Sequence, residues 1–333
     1  MSEAWRPDVL GAGFEQRTLP LGTDSEGEVV ATLVRHLPRG LRRAGELRDV
    51  DVLYVHGWSD YFFQRRLARF WADRGARFFA LDLRKYGRSL RHGQRLGFVA
   101  DLATYDEDIE AALEAMGDRR GRRLVLFGHS TGGLTLSLWA ARHRELVDAL
   151  VLNAPWLEFQ FGFVGRAALA PALGLGARFR PHDPVPQVDL GFYSRAQEAA
   201  ADPDDPMEPD PRWRPHISAP ASTAWLDAVL AGHATVARGL ELAAPVCVLL
   251  SARSILPTRW SDELSTVDTV LQVDAIARAA LKLGASVTVE RIAGALHDVF
   301  ISHREARDEA YARLDRWTDG YLSRDSRRGG ARP

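Results

Sequence analysis

Leu124-Val125-Leu126-Phe127-Gly128-His129-Ser130-Thr131-Gly132-Gly133 runs from four apolar residues, through a serine flanked by glycines, into a helical pattern lasting from Leu134 to Arg144. The apolar run reads as a fully buried strand and its continuation as a helix. Gly128 to Gly132 fits G-x-S-x-G. A strand that turns directly into a helix at such a serine must hold strained backbone there. Side chains at the flanking glycines would collide in so tight a turn. The turn lifts the hydroxyl above the sheet edge, and the following helix points its free N–H groups toward negative charge developing nearby. A serine there can also do no more than cap the helix. Its place between strand and helix favours a nucleophile, and Ser130 is the candidate. His129 reads as a packing residue of the turn, because a base must reach the hydroxyl from outside it.

Outward from this turn, strands and helices alternate. Strand-like runs cover Phe14 to Leu19, Glu28 to Leu37, Val50 to Val55, Arg77 to Leu83, Arg123 to Phe127 and Ala149 to Asn153. Helical spacing covers Tyr61 to Arg74 and Leu102 to Met116, where Glu107, Glu110 and Glu114 fall on the polar face. The alternation stops between about Pro155 and Leu242, where Pro171, Pro181, Pro184, Pro186 and the run Asp202-Pro203-Asp204-Asp205-Pro206 interrupt it. It resumes with Pro245 to Ser251, a helix from Val273 to Leu283, a strand from Ser286 to Ile292 and a helix from Arg304 to Leu322. This is an α/β pattern: a mostly parallel central sheet flanked by helices. The expected division is core over 1–154, an inserted cap or lid subdomain over 155–243, core over 244–322 and a disordered tail over 323–333.

The 333 residues carry a formal net charge of −1, which points to no nucleic acid and no anionic surface as partner. Only Lys85 and Lys282 among the 43 basic residues are lysine; with the abundant alanine, this reflects genomic base composition. Cys247 is the sole cysteine, so no intrachain disulfide forms, and its apolar surroundings suggest a buried, inert thiol. The first residues lack the basic-then-apolar pattern of a signal peptide, and no uncharged apolar stretch is long enough to span a bilayer. The expected location is the cytoplasm, without stable membrane insertion. No H-E-x-x-H or clustered ligand spacing suggests a metal.

Acyl transfer needs two backbone donors for the oxyanion. One is expected from the residue after the nucleophile, Thr131, and one from His56-Gly57-Trp58-Ser59-Asp60 after the strand ending at Val55, with the Trp58 N–H as the choice. Losing one such donor generally costs about 3 to 4 kcal/mol in the transition state. His56 itself should bond to neighbouring backbone. Gly294-Ala295-Leu296-His297-Asp298-Val299-Phe300 lies between the last strand and the last helix, which makes His297 the candidate base. His36, His92, His143, His182, His216, His233 and His303 lie in polar loops, helix ends or the insertion and read as solvated surface. The acid should follow the strand holding Cys247. Asp262, Asp268 and Asp274 qualify, and Asp268 is preferred because Thr269-Val270-Leu271 anchors it, whereas Asp262 lies in a polar run and Asp274 can begin a helix. Asp298 is a neighbour of the base without that role. The order Ser130, Asp268, His297 completes the set.

With these residues in place, the chain resembles the serine-aminopeptidase/monoacylglycerol-lipase-like (lysophospholipase-like) family of α/β hydrolases from about residue 28 to 322. The likeness rests on Val55-His56-Gly57, Gly128 to Gly132 and Gly294 to His297, and on Asp82-Leu83-Arg84-Lys85-Tyr86-Gly87-Arg88-Ser89, similar to the family's D-x-R-G-x-G-x-S loop. Lys85 stands where that pattern has glycine, and Ser59-Asp60 departs from the glycine-rich continuation after His-Gly. The resemblance implies the α/β-hydrolase fold, and hydrolysis of a small-molecule acyl ester such as a monoglyceride or lysophospholipid, with no metal or organic cofactor. An aminopeptidase or amidase with the same three residues is the alternative. It would need a carboxylate to hold a free amino terminus, as the run Asp202 to Asp210 could supply, although that run reads more naturally as a solvated loop. A third reading is a non-catalytic binding protein on this fold. Epoxide hydrolases and dehalogenases are disfavoured, because those relatives carry aspartate where this chain has Ser130. Phe159, Phe161, Phe163, Val164, Leu169, Leu173 and Leu175 could form a lipid-accepting lid, but ordinary packing is the preferred reading, as it is for Trp213 and Trp225.

Overall fold

Nine strands form one sheet in the computed structural model, which describes residues 4–160, 162–186 and 189–323. In chain order the elements are β1 (Arg6–Pro7), β2 (Phe14–Asp24), β3 (Gly27–His36), β4 (Val50–Val55), α1 (Arg65–Asp73), β5 (Arg77–Asp82), α2 (Tyr105–Ala115), β6 (Arg123–His129), α3 (Thr131–Arg142) and β7 (Ala149–Asn153). Then come α4 (Gly162–Phe179), α5 (Phe192–Ala199), α6 (Thr223–Arg238), β8 (Val246–Ser251), α7 (Val273–Ala280), β9 (Val287–Ile292) and α8 (Arg304–Leu322). The strand order is β1-β2-β3-β5-β4-β6-β7-β8-β9. From β5 to β9 the neighbours run parallel, and β1, β2 and β3 add an antiparallel edge.

Both faces of the parallel part are buried, and the pleat shows it. On β4, Leu53 and Val55 face the layer containing Ile109 of α2, Trp139 of α3 and Ile276 of α7. Val50, Val52 and Tyr54 face the opposite layer, with Trp71 of α1 and Leu314 of α8. A strand covered on both sides is apolar on both faces, which is why these runs read without alternation; the exception on β4, Asp51, is buried against Arg77 and Arg122. Cys247 belongs to the second layer, and burial raises its thiol pKa far above the usual range, as an inert thiol requires.

Three local expectations shift. The helix expected from Tyr61 starts only at Arg65, because Tyr61 and Phe63 pack instead with Ile301 and Trp213 in a loop whose Phe62 N–H donates to Asp82. Pro171 lies inside α4 rather than ending it, at the loss of one bond to the Ala167 carbonyl. Between β7 and β8 the described residues add helices and loops but no strand to the sheet. Within this segment Phe159 and Leu173 pack as expected, whereas Val164, Leu169 and Leu175 are exposed, against the ordinary packing expected of them; Phe161 lies outside the described residues. The tail beyond residue 323 lies outside them too. No helix among the described residues is long and apolar enough to cross a membrane.

His233 is a further correction. It is not solvated surface but fully buried on α6, with Nε2 donating to the Trp156 carbonyl at 2.9 Å and Nδ1 without a partner. Burial pushes its pKa down from 6.5 to about 4. A histidine whose folded pKa lies below its unfolded value binds its proton more readily when unfolded. Its contribution is therefore complete above pH 6.5 and is lost as pH falls toward 4. At ~1.4 kcal/mol per unit the loss is about 3 kcal/mol. Denaturant unfolding at pH 7.5 and 4.5 should show wild type losing more stability than His233→Gln; equal losses would mean the imidazole is not buried neutral.

Candidate active site

The turn at Ser130 has the strain its sequence implies: φ is 50° and ψ −117°, outside the usual regions for a residue with a side chain. Close approach explains the glycines. A Cβ on Gly128 would lie 2.5 Å from Gly133 Cα, and one on Gly132 would lie 2.3 Å from the His56 carbonyl oxygen. The Ser130 carbonyl accepts from the N–H groups of Gly133, Leu134 and Trp156, and its own N–H donates to the Asn153 carbonyl at 3.0 Å. The hydroxyl makes no hydrogen bond among the described residues, and Ser130 is nearly buried.

His297 follows β9 and Asp268 follows β8, so both rise from the same carboxyl edge of the sheet as Ser130. His297 Nδ1 meets Asp268 Oδ2 at 2.9 Å, with both groups buried. Asp268 Oδ1 accepts from the N–H groups of Val270 and Leu271 at 2.7 and 2.8 Å, and the buried Leu271 supplies the apolar anchor expected of that segment. With Nδ1 donating to a carboxylate, Nε2 is left as the basic nitrogen. Asp262 and Asp274 are exposed, and Asp274 pairs with Arg291 at 2.5 Å; neither is joined to His297. The His129 ring lies 5.1 Å from that of His297 and donates through Nδ1 to the Asn153 carbonyl at 3.1 Å. Burial, with the neighbouring His297 acting in the same direction, lowers its pKa, so His129 packs as a neutral ring that does not repel an imidazolium beside it.

The His56-Gly57 loop lies against the nucleophile: a Cβ on Gly57 would be 3.0 Å from Ser130 Cβ. His56 Nε2 accepts from the Leu83 N–H at 3.1 Å, so its proton sits on Nδ1 and is donated to the Gly57 carbonyl at 2.7 Å. That carbonyl and the Trp58 N–H share one trans peptide and point opposite ways. With the carbonyl held by His56, the N–H turns from it. Neither the Trp58 nor the Thr131 N–H has an acceptor among the described residues. Ser59 has a positive φ of 52°, and its Oγ accepts from the Ala219 N–H at 3.2 Å. The Trp58 indole donates to the Ala219 carbonyl at 2.8 Å.

Lys85 also sits at a positive φ, 63°, where the family pattern's glycine would be unstrained. Its buried ammonium pairs with Asp24 at 2.6 Å and Glu26 at 2.7 Å. It does not line the cavity beside Gly57 and Thr131. That cavity holds about 10 Å3, room for about one water, and is closed by Tyr86, Tyr105, Trp225 and Val229. Trp225 is 4.0 Å from Trp58 between ring centres, so it lines the site, whereas Trp213 packs on Tyr61 at 5.1 Å.

Three contributors had little sequence signal. Tyr193 of α5 stands edge-on to His297 at 5.6 Å, and burial raises its pKa well above the usual value, keeping it a phenol. Arg214 pairs with Asp60 at 2.9 Å, and the Asn153 amide donates to Asp298 at 2.6 Å. Most carboxylates of the acidic run are taken up by arginines, and Glu208 alone stands exposed without a partner among the described residues. Asp202 meets Arg304 and Arg307, Asp204 meets Arg304, Asp205 lies 3.6 Å from Arg307, and Asp210 meets Arg212. The arginines hold the Asp202 carboxyl far below the usual carboxylate range.

Residues 48–303 match the family model for serine aminopeptidase, S33. A stretch of 113 residues is 29% identical to Epoxide hydrolase 3 of Xenopus tropicalis, covering 34% of this chain and 29% of that protein; the chain thus spans less than a third of that relative's length. Among solved structures, a soluble variant of monoglyceride lipase from Saccharomyces cerevisiae superposes with a TM-score of 0.64 at 16% identity, over 92% of this chain and 97% of that one. A carboxyl esterase from Bacillus coagulans gives 0.63 at 15%, over 92% and 98%. A monoacylglycerol lipase from Paleococcus ferrophilus gives 0.62 at 18%, over 83% and 96%. At these identities the likeness establishes a shared fold.

Proposed function

Because this chain has the α/β-hydrolase fold and belongs to the serine aminopeptidase, S33, family of hydrolases, we propose that it cleaves carboxylic esters through an acyl-enzyme on Ser130. The observation that carries this reading is the buried His297–Asp268 pair, 2.9 Å apart, at the sheet edge where the strained Ser130 turn ends. His297 Nε2 takes the hydroxyl proton as Ser130 Oγ attacks the acyl carbon, then returns it to the leaving alkoxide. Asp268 fixes the imidazole and stabilises its charge. The Trp58 and Thr131 N–H groups, free of other acceptors, receive the oxyanion. Water then repeats the sequence on the acyl-enzyme. The Ser130–His297 contact forms as substrate binds, as catalytic hydrogen bonds often tighten only then.

Monoglyceride- or lysophospholipid-like esters are the proposed substrates, with residues 155–243 as the cap through which they enter. The named monoglyceride lipases among the structural neighbours support that choice over an amide. So does the pairing of Asp202, Asp204, Asp205 and Asp210 with arginines, which leaves those carboxylates occupied. Stopped-flow assays on activated acyl esters and on aminoacyl amides would decide. The expected result is a stoichiometric burst with the ester, a covalent fluorophosphonate adduct, and aminoacyl amide cleavage slower by about 10²-fold or more in kcat/KM, the scale set when a binding group has no partner. Absence of both burst and adduct sinks the proposal.

A further inference from the structure

We propose that Asn153 is a positioning residue that ties the nucleophile turn and the base loop together through one side chain and its own backbone. The proposal rests on the assignment of Ser130 and His297 above. Asn153 ends β7, fully buried, and pairs across the sheet with His129. Its main-chain carbonyl accepts from the Ser130 N–H at 3.0 Å and from His129 Nδ1 at 3.1 Å. Its side chain serves the other loop: the amide nitrogen donates to Asp298 Oδ1 at 2.6 Å, and the amide oxygen accepts from the Val299 N–H at 3.2 Å. One residue therefore touches the serine's own amide and both residues following His297.

The rest of the base loop is braced around this contact. Asp298 Oδ2 accepts from Gln64 Nε2 at 3.0 Å, its Oδ1 from the Phe300 N–H at 3.0 Å, and its N–H donates to the Tyr193 hydroxyl at 3.2 Å. The Ser302 hydroxyl accepts from the Leu296 N–H at 2.9 Å. The Asp298 carboxylate thus gathers the ends of three strands: Asn153 from β7, Gln64 after β4 and its own loop after β9. Ala154, next in the chain, is held at φ 44°, a second strained residue directly beneath Ser130's anchor. Strain of this kind persists only where surrounding contacts over-determine it. Asn suits this position, since one carboxylate and one backbone N–H face it and its amide offers a donor and an acceptor on separate atoms.

A base that drifts by about 1 Å from its nucleophile can cost about 10²-fold in rate without weakening ground-state binding. In full-length protein, Asn153→Asp sets a second carboxylate against Asp298, and kcat on p-nitrophenyl acetate is expected to fall about 10²-fold with KM within about threefold. The exchanged pair Asn153→Asp/Asp298→Asn removes the repulsion between the two carboxylates and turns an amide donor toward the remaining one, at the loss of one acceptor for the Phe300 N–H, so kcat should recover only part of that loss. Asn153→Ser, too short to reach Asp298, is the variant to read if the charge pair prevents folding. It should lower kcat and speed backbone amide exchange over 297–300 while the melting transition stays cooperative. Unchanged kcat, or a loss confined to KM, overturns the proposal. Should wild type show no Ser130-dependent ester turnover, the ester reading falls alone. Amide exchange then decides this one: faster exchange in Asn153→Ser supports the tie, and unchanged exchange overturns it.

Discussion

Replacing Ser130 by alanine is expected to lower turnover of an activated ester by on the order of 10⁵-fold and to abolish labelling by a fluorophosphonate, with the melting temperature within about 2 °C of wild type. The separation of the two effects follows from the geometry. The strain at Ser130 belongs to its backbone, and alanine keeps the same Cβ, so the turn gains no new clash. The hydroxyl has no hydrogen-bond partner among the described residues, so its removal orphans nothing. A side chain that contributes so little to folding, yet sits on strained backbone at a sheet edge, is what the proposed role as nucleophile calls for. Residual activity would come from the Trp58 and Thr131 N–H groups, which still polarise the acyl carbonyl for attack by water. An alanine variant that turns over ester at the wild-type rate would place the nucleophile elsewhere.

Asp268→Asn should cost about 10⁴-fold in kcat, by a route the hydrogen bonds make specific. Asp268 uses both oxygens, Oδ1 for the Val270 and Leu271 N–H groups and Oδ2 for His297 Nδ1. An asparagine has one acceptor oxygen, and the two backbone donors, 2.7 and 2.8 Å away, claim it. Its NH2 must then face His297 Nδ1, which can only answer with a lone pair. The imidazole proton moves to Nε2, the nitrogen that should receive the serine proton, and the base is disabled while the fold persists. Asp262→Asn and Asp274→Asn, at exposed positions away from His297, should leave kcat within about twofold. Steady-state kinetics on the three variants checks this. Loss of activity in either of the last two, with Asp268→Asn unaffected, would refute the assignment.

Much of this site was legible because its parts are local. The Ser130 turn announces itself within ten residues, since strand, glycine spacing and helix are all written around it. His297, proposed from its place between the last strand and the last helix, and Asp268, proposed from the apolar residues beside it, do meet as a buried pair. His56 bonds to neighbouring backbone, as a His-Gly turn would, and Glu107, Glu110 and Glu114 are exposed as helical spacing implies.

What escaped the sequence involves partners far apart along the chain. His233 lies in the insertion and reads as solvated surface, yet the fold lays Trp156 over it, 77 residues away. The acidic run looked solvated until α8 brought Arg304 and Arg307 against it, more than 100 residues on. Asn153 carries no motif, because its role depends on Asp298, 145 residues later. Backbone geometry follows from short-range sterics and periodicity, so the sequence by itself determined the α/β alternation, the strained turn and the order Ser130, Asp268, His297. Only the tertiary structure could decide which buried polar groups satisfy one another. That depends on β7 lying between β6 and β8 in the sheet, which sets side chains of distant segments within hydrogen-bond reach where water no longer competes for them.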